Sequence, residues 1–266
     1  MSMEKVDWHL HTKFSDGQQT VPELIRASKQ LGLTSIAITD HFDRYDSSLR
    51  NQNATDDELI SHLHLIREEG EKSGIKVFAG IETATGQDGR LRLSDRVMKA
   101  CDIIICSPHY VAHDDIEIVP GCVFNDRYWE RYKELLLSQA ENEADVAGHP
   151  EGYLPTLNMI GKTTFEERQM IRAEVAERYL DEPFYREYGK RLKKSGKAFE
   201  IHGASGTPRK WVLELLSSLG VCFSIGSDAH DLPLLGKNER AWELCSSSGY
   251  LIKTPLGERR FSICKK

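Results

Sequence analysis

Histidine and acidic residues in this 266-residue chain recur at spacings that suit metal binding. Asp7, His9 and His11 are spaced by two residues, and His230 stands two residues after Asp228. On a β-strand, residues two apart extend from the same face, so each group presents its side chains in one direction. Imidazole and carboxylate groups arranged in this way can bind a transition-metal ion, or they can simply line a polar pocket.

Further donors end short apolar segments of the chain. Asp40 and His41 close one such segment, and Glu82 closes another. Because adjacent strand residues face opposite ways, Asp40 is expected to orient its neighbours rather than to bind a metal beside His41. Asp16 lies in a Ser-Asp-Gly turn after His11, where it is either a ligand or an ordinary turn residue. Three more segments end in histidines: His109, His149 and His202.

These donors need a scaffold that brings strand ends together. Short β-rich runs alternate with amphipathic patterns, which is typical of βα units and a parallel sheet. The predicted strands are Lys5–Leu10, Ser35–Thr39, Lys76–Ile81, Asp102–Ser107, Ala144–Ala147, Ala198–Ile201 and Cys222–Ile225. The predicted helices are one that begins after the capping box at Thr20, then Asp56–Ser73, Asp126–Glu143, Phe165–Lys194, Pro208–Leu219 and Lys237–Ser247. Seven unbroken βα units favour one closed barrel over residues 1–266, with its chemistry at the carboxyl ends of the strands.

The donor set is too large for one ion. It contains His9, His11, Asp16, His41, Glu82, His109, His149, Asp228 and His230. One ion takes about four to six ligands, so two or three ions that share a carboxylate are expected. Nitrogen and oxygen donors without a thiolate favour Zn, Mn or Fe over Ca or Mg. In contrast, His62 and His64 lie on a predicted helix, where this spacing turns them apart, and we expect both at the surface.

Composition narrows the class of protein. The chain is 39% hydrophobic with a formal net charge of -6 and a mean hydropathy of -0.46. It has no long apolar run, so we expect neither a membrane span nor a signal peptide. The acidic balance and the lack of a basic stripe argue against binding to long nucleic acids. Six cysteines without a Cys-x-x-Cys pair predict a cytoplasmic protein rather than a disulfide framework.

The order of short motifs resembles that of the PHP (polymerase and histidinol phosphatase) superfamily. The motifs, from His9 to His230, are His-x-His, Ser-Asp-Gly, Thr-Asp-His, Gly-Ile-Glu, Ser-Pro-His, Gly-His-Pro and Ser-Asp-Ala-His. The resemblance implies a distorted (β/α)7, TIM-like barrel with three Zn, Mn or Fe ions at its mouth. The implied ligand sets are His9, His11, Glu82 and Asp228; Glu82, His109 and His149; and Asp16, His41 and His230.

The resemblance also implies a reaction, the hydrolysis of a small phosphorylated metabolite. Metal ions lower the pKa of bound water, so a bridging hydroxide would be available near neutral pH, and they neutralise phosphoryl oxygens. Asp228, or Asp16 through a water, is expected to carry a proton to the leaving group, with His230 as a further candidate. At this length, without a polymerase domain, the chain looks most like a stand-alone histidinol-phosphatase. L-histidinol phosphate is therefore the first candidate for its substrate.

Two motifs depart from that branch and leave alternatives open. Segment 148–152 lacks a Gly-His-Leu-Asp pattern. His202 stands where the family often has asparagine, and it is a substrate contact, an extra metal ligand or a hydrogen-bonded wall residue. Arg209 and Lys210, at a helix start, are candidate phosphate-binding cations or part of a solvated helix end. The alternative functions are a nucleotide or oligonucleotide phosphoesterase and a metal-binding module without turnover. The sequence indicates no oligomeric state.

Overall fold

A computed structural model describes residues 5–161 and 163–248, together with Tyr250 and Ile252. The strands in this part of the chain are β1 (Val6–Leu10), β2 (Ser35–His41), β3 (Lys76–Thr83), β4 (Ile103–Cys106), β5 (Val146–Ala147), β6 (Ala198–His202) and β7 (Phe223–Gly226). The helices there are α1 (Val21–Gln30), α2 (Asp56–Glu71), α3 (Asp95–Ala100), α4 (Asp126–Gln139), α5 (Leu157–Ile160), α6 (Phe165–Tyr179), α7 (Glu182–Ser195), α8 (Lys210–Ser218) and α9 (Glu239–Ser248).

The seven strands form a nearly closed parallel barrel. They pair in chain order from β1 to β7. Leu10, at the end of β1, bridges to Ala229 just beyond β7, and the backbone N–H of His11 donates to the Ala229 carbonyl at 3.0 Å. Between Asp7 and Leu10 the register of β1 shifts against β2, and β5 has only two residues. The predicted distorted (β/α)7 barrel is therefore confirmed.

The barrel strands are buried because helices cover the outside of the sheet. Ile36, Ala37 and Ile38 of β2 are fully buried, as expected for a parallel strand between a barrel interior and a helical layer. Trp129 and Tyr132 of α4 are also fully buried. None of the described helices has both the length and the apolar character needed to cross a lipid bilayer.

The predicted helix Phe165–Lys194 is wrong as a single element. It is divided into α6 and α7, and Leu180 between them leaves the helical conformation (φ -99°, ψ 73°). The side chain of Asp181 accepts a hydrogen bond from the backbone N–H of Phe184, and Pro183 lies in the first turn of α7. An Asp cap followed by proline begins a helix, so both residues favour a new start here. The short helices α3 and α5 were also absent from the sequence-based prediction.

Candidate metal centre

All nine predicted ligands converge at the carboxyl ends of the strands. The parallel barrel has this consequence because it directs every such end to one mouth. Strands β1, β2, β3 and β6 carry site residues themselves, and loops after β1, β4, β5 and β7 supply the others. The residues brought together are His9, His11, Asp16, His41, Glu82, His109, His149, Asp228 and His230.

The carboxylate of Glu82 lies between two groups of imidazoles. Its Oε2 is 3.0 Å from His9 Nε2 and 3.4 Å from His11 Nε2. Its Oε1 is 2.9 Å from His149 Nε2 and 3.2 Å from His109 Nε2. The side chain is completely buried, so both oxygens are held in place. This placement suits a carboxylate that is shared by two cations.

A third group of donors lies beside the first. His230 Nε2 is 3.1 Å from Asp16 Oδ2 and 3.3 Å from His41 Nε2, and His41 Nε2 is 3.8 Å from the same Asp16 oxygen. The other ring nitrogen of His41, Nδ1, is 2.8 Å from Glu82 Oε2. Asp228 Oδ1 approaches His11 Nε2 at 2.8 Å. The donors in the three implied ligand sets are thus assembled as neighbours.

Several of these buried atoms form no aligned hydrogen bond, even where another polar atom of the site lies within 3.5 Å. They include His9 Nε2, both ring nitrogens of His11, Glu82 Oε2 and Asp228 Oδ1. Buried polar atoms are normally hydrogen-bonded, because an unpaired one loses the solvation it had in water. Each of these residues has an electron-pair donor that can bind a metal. The donor set therefore fits bound cations, and nitrogen and oxygen atoms of this kind suit Zn, Mn or Fe.

In the cluster formed by the nine predicted ligands, the acidic groups and His11 have the charge states that suit cation binding, whereas without ions His9 and His230 have raised pKa values and hold protons that a bound cation would displace. Burial opposes ionisation of Glu82 and Asp228, but the surrounding histidines outweigh it and hold the pKa of both carboxyl groups well below the ordinary range. Burial lowers the pKa of His11 to about 4, and the neighbouring His41 and His230 add to this effect. At neutral pH the carboxylates are ionised and His11 is neutral, which are the forms that bind metal.

Glu200 belongs to the site, although sequence reasoning assigned it no role. Its Oε1 lies 2.6 Å from His9 Nδ1, and its Oε2 accepts a hydrogen bond from the backbone N–H of His149 at 2.7 Å. Burial opposes ionisation of Glu200, but His9 outweighs it and lowers the pKa. The carboxylate therefore accepts a hydrogen bond from Nδ1 of His9, so that Nε2 is the ring nitrogen that faces Glu82. Its two-residue spacing from His202 on β6 was the available signal, since it repeats the spacing of His9 and His11.

Gly226 leaves the space that Glu200 and His9 occupy. A Cβ at this position would lie 2.3 Å from His9 Cβ and 2.4 Å from Glu200 Oε1. We therefore expect Gly226→Ala to lower the free energy of unfolding by about 1–3 kcal/mol, since buried side chains must shift to accept the methyl group. Urea unfolding of the metal-free protein measures this change. An unaltered free energy of unfolding would contradict this expectation, because it would show that His9 and Glu200 shift to accept the methyl group without cost.

The expectation that His62 is a surface residue is wrong. Its ring stacks on Phe14 with a centroid distance of 3.8 Å, and its Nε2 lies 2.7 Å from Asp40 Oδ2. Asp40 also accepts hydrogen bonds from the backbone N–H and the hydroxyl of Thr12, both at 2.7 Å. It thus anchors the loop that carries Asp16, in keeping with an orienting role. The opposite face of α2 bears His64, which is exposed as expected.

His202 lies in the wall of the site, within the barrel. Its Nδ1 is 2.6 Å from the hydroxyl oxygen of Ser205, and its Nε2 is 3.5 Å from Asp228 Oδ2. The residue is fully buried, and Nε2 has no hydrogen-bond partner. Of the three roles that the sequence left open, a hydrogen-bonded wall residue describes these contacts best.

Arg209 and Lys210 do not line the cavity beside the cluster. The Arg209 guanidinium donates to Glu151 Oε1 from Nε (2.9 Å) and Nη2 (2.7 Å), and its Nη1 lies 2.8 Å from Glu177. Lys210 is exposed, with Nζ 3.5 Å from Glu214 Oε1. The expectation that these two cations bind phosphate is therefore not supported, because the fold already pairs both with carboxylates.

Arg209 instead supports the buried Glu151, and this role is testable. We expect Arg209→Met to lower the free energy of unfolding by about 3 kcal/mol, because it leaves a buried carboxylate without its cation. The KM for substrate should stay unchanged. Urea unfolding and steady-state kinetics measure the two effects. A large rise in KM at unchanged stability would restore Arg209 as a substrate-binding residue.

A cavity of about 680 Å³ opens beside the cluster. Asp16, His41, Glu82 and His109 form its metal-site wall. The remaining lining residues are Phe42, Asp43, Tyr45, Asp46, Ser47, Leu49, Thr83, Ala84, Arg92 and Tyr110.

Arg92 supplies positive charge to this lining. Its Nη1 lies 2.5 Å from Asp43 Oδ2, and its guanidinium carbon lies 4.7 Å from the centre of the Tyr45 ring. Sequence reasoning missed Arg92 because it lies in a loop without a recognisable motif.

Comparisons with known proteins agree with this architecture. Residues 7–203 match the PHP domain family. A protein named "Probable phosphatase" from Thermoanaerobacter sp. (strain X514) is 24% identical over 250 residues, covering 92% of this chain and 86% of the relative. The DNA polymerase/3'-5' exonuclease PolX of Bacillus subtilis is 26% identical over 152 residues, covering 56% of this chain and 24% of that protein.

A solved structure has a similar fold. It is histidinol phosphate phosphatase from Lactococcus lactis subsp. lactis, complexed with zinc, L-histidinol and phosphate. The TM-score is 0.65 at 20% identity, and the match covers 96% of this chain and 99% of that chain. The fold shared with that protein and the PHP domain match over residues 7–203 both agree with the order of motifs in this sequence. The chain therefore belongs to the PHP domain family.

Proposed function

We propose that this chain is a metal-dependent phosphomonoesterase of small metabolites. The observation that carries the proposal is the group of buried, unpartnered nitrogen and oxygen atoms around Glu82, at the edge of an open cavity. A phosphomonoester is very slow to hydrolyse unaided, and its transition state concentrates negative charge that neighbouring cations stabilise. Relatives named as phosphatases support the same reaction class.

We assign three transition-metal ions (Zn, Mn or Fe) to the donor groups described above. His9, His11, Glu82 and Asp228 form the first group; Glu82, His109 and His149 form the second; and Asp16, His41 and His230 form the third. Ions bound there would lower the pKa of a water ligand and neutralise phosphoryl oxygens.

Asp16 is the carboxylate in the cluster best placed to pass a proton to the leaving group. Its side chain is 34% exposed and lines the cavity, whereas Asp228 lies deeper, against His11. Asp16 Oδ2 lies 3.1 Å from Nε2 of His230. We therefore assign proton transfer to Asp16 acting through a water, with Asp228 and His230 as the alternative donors that mutagenesis should compare.

L-histidinol phosphate is the first specific substrate that we propose. The similarly folded Lactococcus lactis protein was solved with L-histidinol and phosphate. In this chain, Asp46 lines the cavity and provides negative charge for the ammonium group of an amino alcohol, whereas the charge of Asp43 is balanced by Arg92.

A nucleotide is the second candidate substrate, and two tyrosines favour it. Tyr45 is 80% exposed and Tyr110 is 45% exposed, and both line the cavity. Exposed aromatic faces are surfaces on which nucleobases stack. A nucleoside phosphate would place its base against these rings and its phosphate at the cluster.

Phosphate release by the manganese-loaded protein, together with gel electrophoresis of an oligonucleotide substrate, tests these alternatives. The substrates are L-histidinol phosphate, adenosine 5'-monophosphate, adenosine 3',5'-bisphosphate and a short DNA oligonucleotide without terminal phosphates. We expect release from a monoester and no cleavage of the oligonucleotide. Neither phosphate release nor cleavage of the oligonucleotide, with metal occupancy confirmed, would instead support a metal-binding module without turnover.

A further inference from the structure

Two arginines on α6 have no acidic partner among the described residues. Arg172 is 8% exposed, and Arg168, one helical turn earlier, is half-buried. The Nε atom of each is buried without a hydrogen-bond partner, and neither side chain forms an ion pair within the part of the chain that the structure describes. Arg178 on the same helix differs, since its Nη2 lies 3.6 Å from Asp126 Oδ1.

Arg172 lies one aromatic ring away from the metal centre. Its guanidinium carbon is 4.9 Å from the centre of the Tyr153 ring. The same ring contacts His149 edge-on at 5.4 Å and His202 edge-on at 5.0 Å, measured between ring centroids. His149 belongs to the second donor group. Arg172 is therefore adjacent to the site without touching its ligand atoms.

Without a bound anion, this arrangement of two arginines destabilises the folded protein. Residues four apart on a helix are neighbours, so Arg168 and Arg172 repel one another. Burial lowers the pKa of Arg172, and the charge of Arg168 lowers it further. The cation–π contact with Tyr153 stabilises the folded protein by less than the burial of an unpaired cation destabilises it. A bound anion would relieve both the desolvation and the repulsion.

We infer that Arg168 and Arg172 bind a second phosphate group of the substrate, remote from the phosphate that is hydrolysed. The inference rests on the proposed function and names its substrate class, a phosphomonoester that carries a further phosphate. A phosphate dianion matches two positive charges, and guanidinium groups bind phosphate oxygens through paired hydrogen bonds. The reacting phosphate must lie against the cluster itself, whereas Tyr153 stands between the cluster and Arg172.

Binding of two nucleotides that differ by one phosphate tests the inference. Adenosine 3',5'-bisphosphate and adenosine 5'-monophosphate are titrated into chelator-treated wild type, Arg172→Met and Arg172→Lys, and KM and kcat are measured for the metal-loaded forms. Wild type should prefer the bisphosphate. Arg172→Met should weaken bisphosphate binding about tenfold or more, with little change for the monophosphate, because charge-assisted hydrogen bonds are lost. Arg172→Lys should retain part of the preference.

Arg178→Met is the matched control, because it removes an arginine from the same helix outside the proposed site. It should keep the wild-type preference. The melting temperature of Arg172→Met should be no lower than that of wild type, since a buried unpaired charge is replaced by an apolar side chain.

Equal binding of the two nucleotides by wild type, or binding of neither, would overturn the inference. A preference retained in Arg172→Met would overturn it as well. Equal weakening of both nucleotides in that variant would assign the arginines to the reacting phosphate and overturn the second-phosphate assignment. A selective loss of bisphosphate binding without any turnover would support the inference and contradict only the proposed hydrolysis.

Discussion

Replacing Glu82 with glutamine is expected to release two metal ions from the cluster rather than one, and to slow phosphate release by about a thousandfold or more. Glu82 presents Oε2 to His9 and Oε1 to His149, so one side chain serves two donor groups. A neutral amide is a much weaker ligand than a carboxylate, and its nitrogen cannot bind a cation. The rate should fall because clustered cations supply several kcal/mol of transition-state stabilisation.

Metal analysis after gel filtration measures the first effect, and phosphate release measures the second. Glu69→Gln is the matched control: Glu69 lies on α2 outside the cluster, paired with Lys72, and the same substitution there should leave both quantities unchanged. A full metal complement in Glu82→Gln would show that Glu82 is not shared. Loss of a single ion would likewise limit Glu82 to one donor group.

Replacing Glu200 with alanine is expected to weaken metal binding by about 10- to 100-fold, although Glu200 is not itself a proposed ligand. Without its carboxylate, the proton of His9 is free to move from Nδ1 to Nε2, the nitrogen that faces Glu82. The backbone N–H of His149 also loses its acceptor. Glu200→Gln should have a smaller effect, since its amide oxygen can still accept one of the two hydrogen bonds.

Competition with a chelator measures the metal affinity, and thermal unfolding of the metal-free proteins provides the control. A purely structural Glu200 would lower the melting temperature without changing the affinity of the protein that remains folded. A positioning role requires the affinity to fall in the order wild type, Glu200→Gln, Glu200→Ala. Equal affinity in all three proteins would contradict it.

The barrel and the converging donors were predictable because both depend on local pattern. Each predicted strand is present, with ends within about two residues. A histidine or acidic residue at the end of a parallel strand must lie near the others, since the topology brings such ends to one mouth. His9, Glu82 and His149 were found in this way. Closure of the sheet is different, because it depends on the contact between Leu10 and Ala229, which no local pattern encodes.

Partners of individual charges were not predictable, since they depend on tertiary packing. Arg209 has the sequence position of an anion-binding residue, yet Glu151, distant in sequence, pairs with it. Arg172 lies in a run of charged residues typical of a solvated helix, yet it is buried beside Tyr153. His62 was placed at the surface for the same reason, because nothing in the helical pattern reveals Asp40 opposite it. Two missed features did have a local signal that could have been used: the break at Asp181 and the two-residue spacing of Glu200 from His202.

The central claim is that this chain hydrolyses phosphomonoesters by means of the cluster around Glu82. Phosphate release from L-histidinol phosphate and adenosine 3',5'-bisphosphate, measured for the same preparation when metal-loaded, after chelation and after manganese is restored, tests it most directly. We predict release from at least one substrate when loaded, loss of release after chelation, and recovery with manganese. No release at confirmed full occupancy, or an unchanged rate after chelation, would contradict the claim.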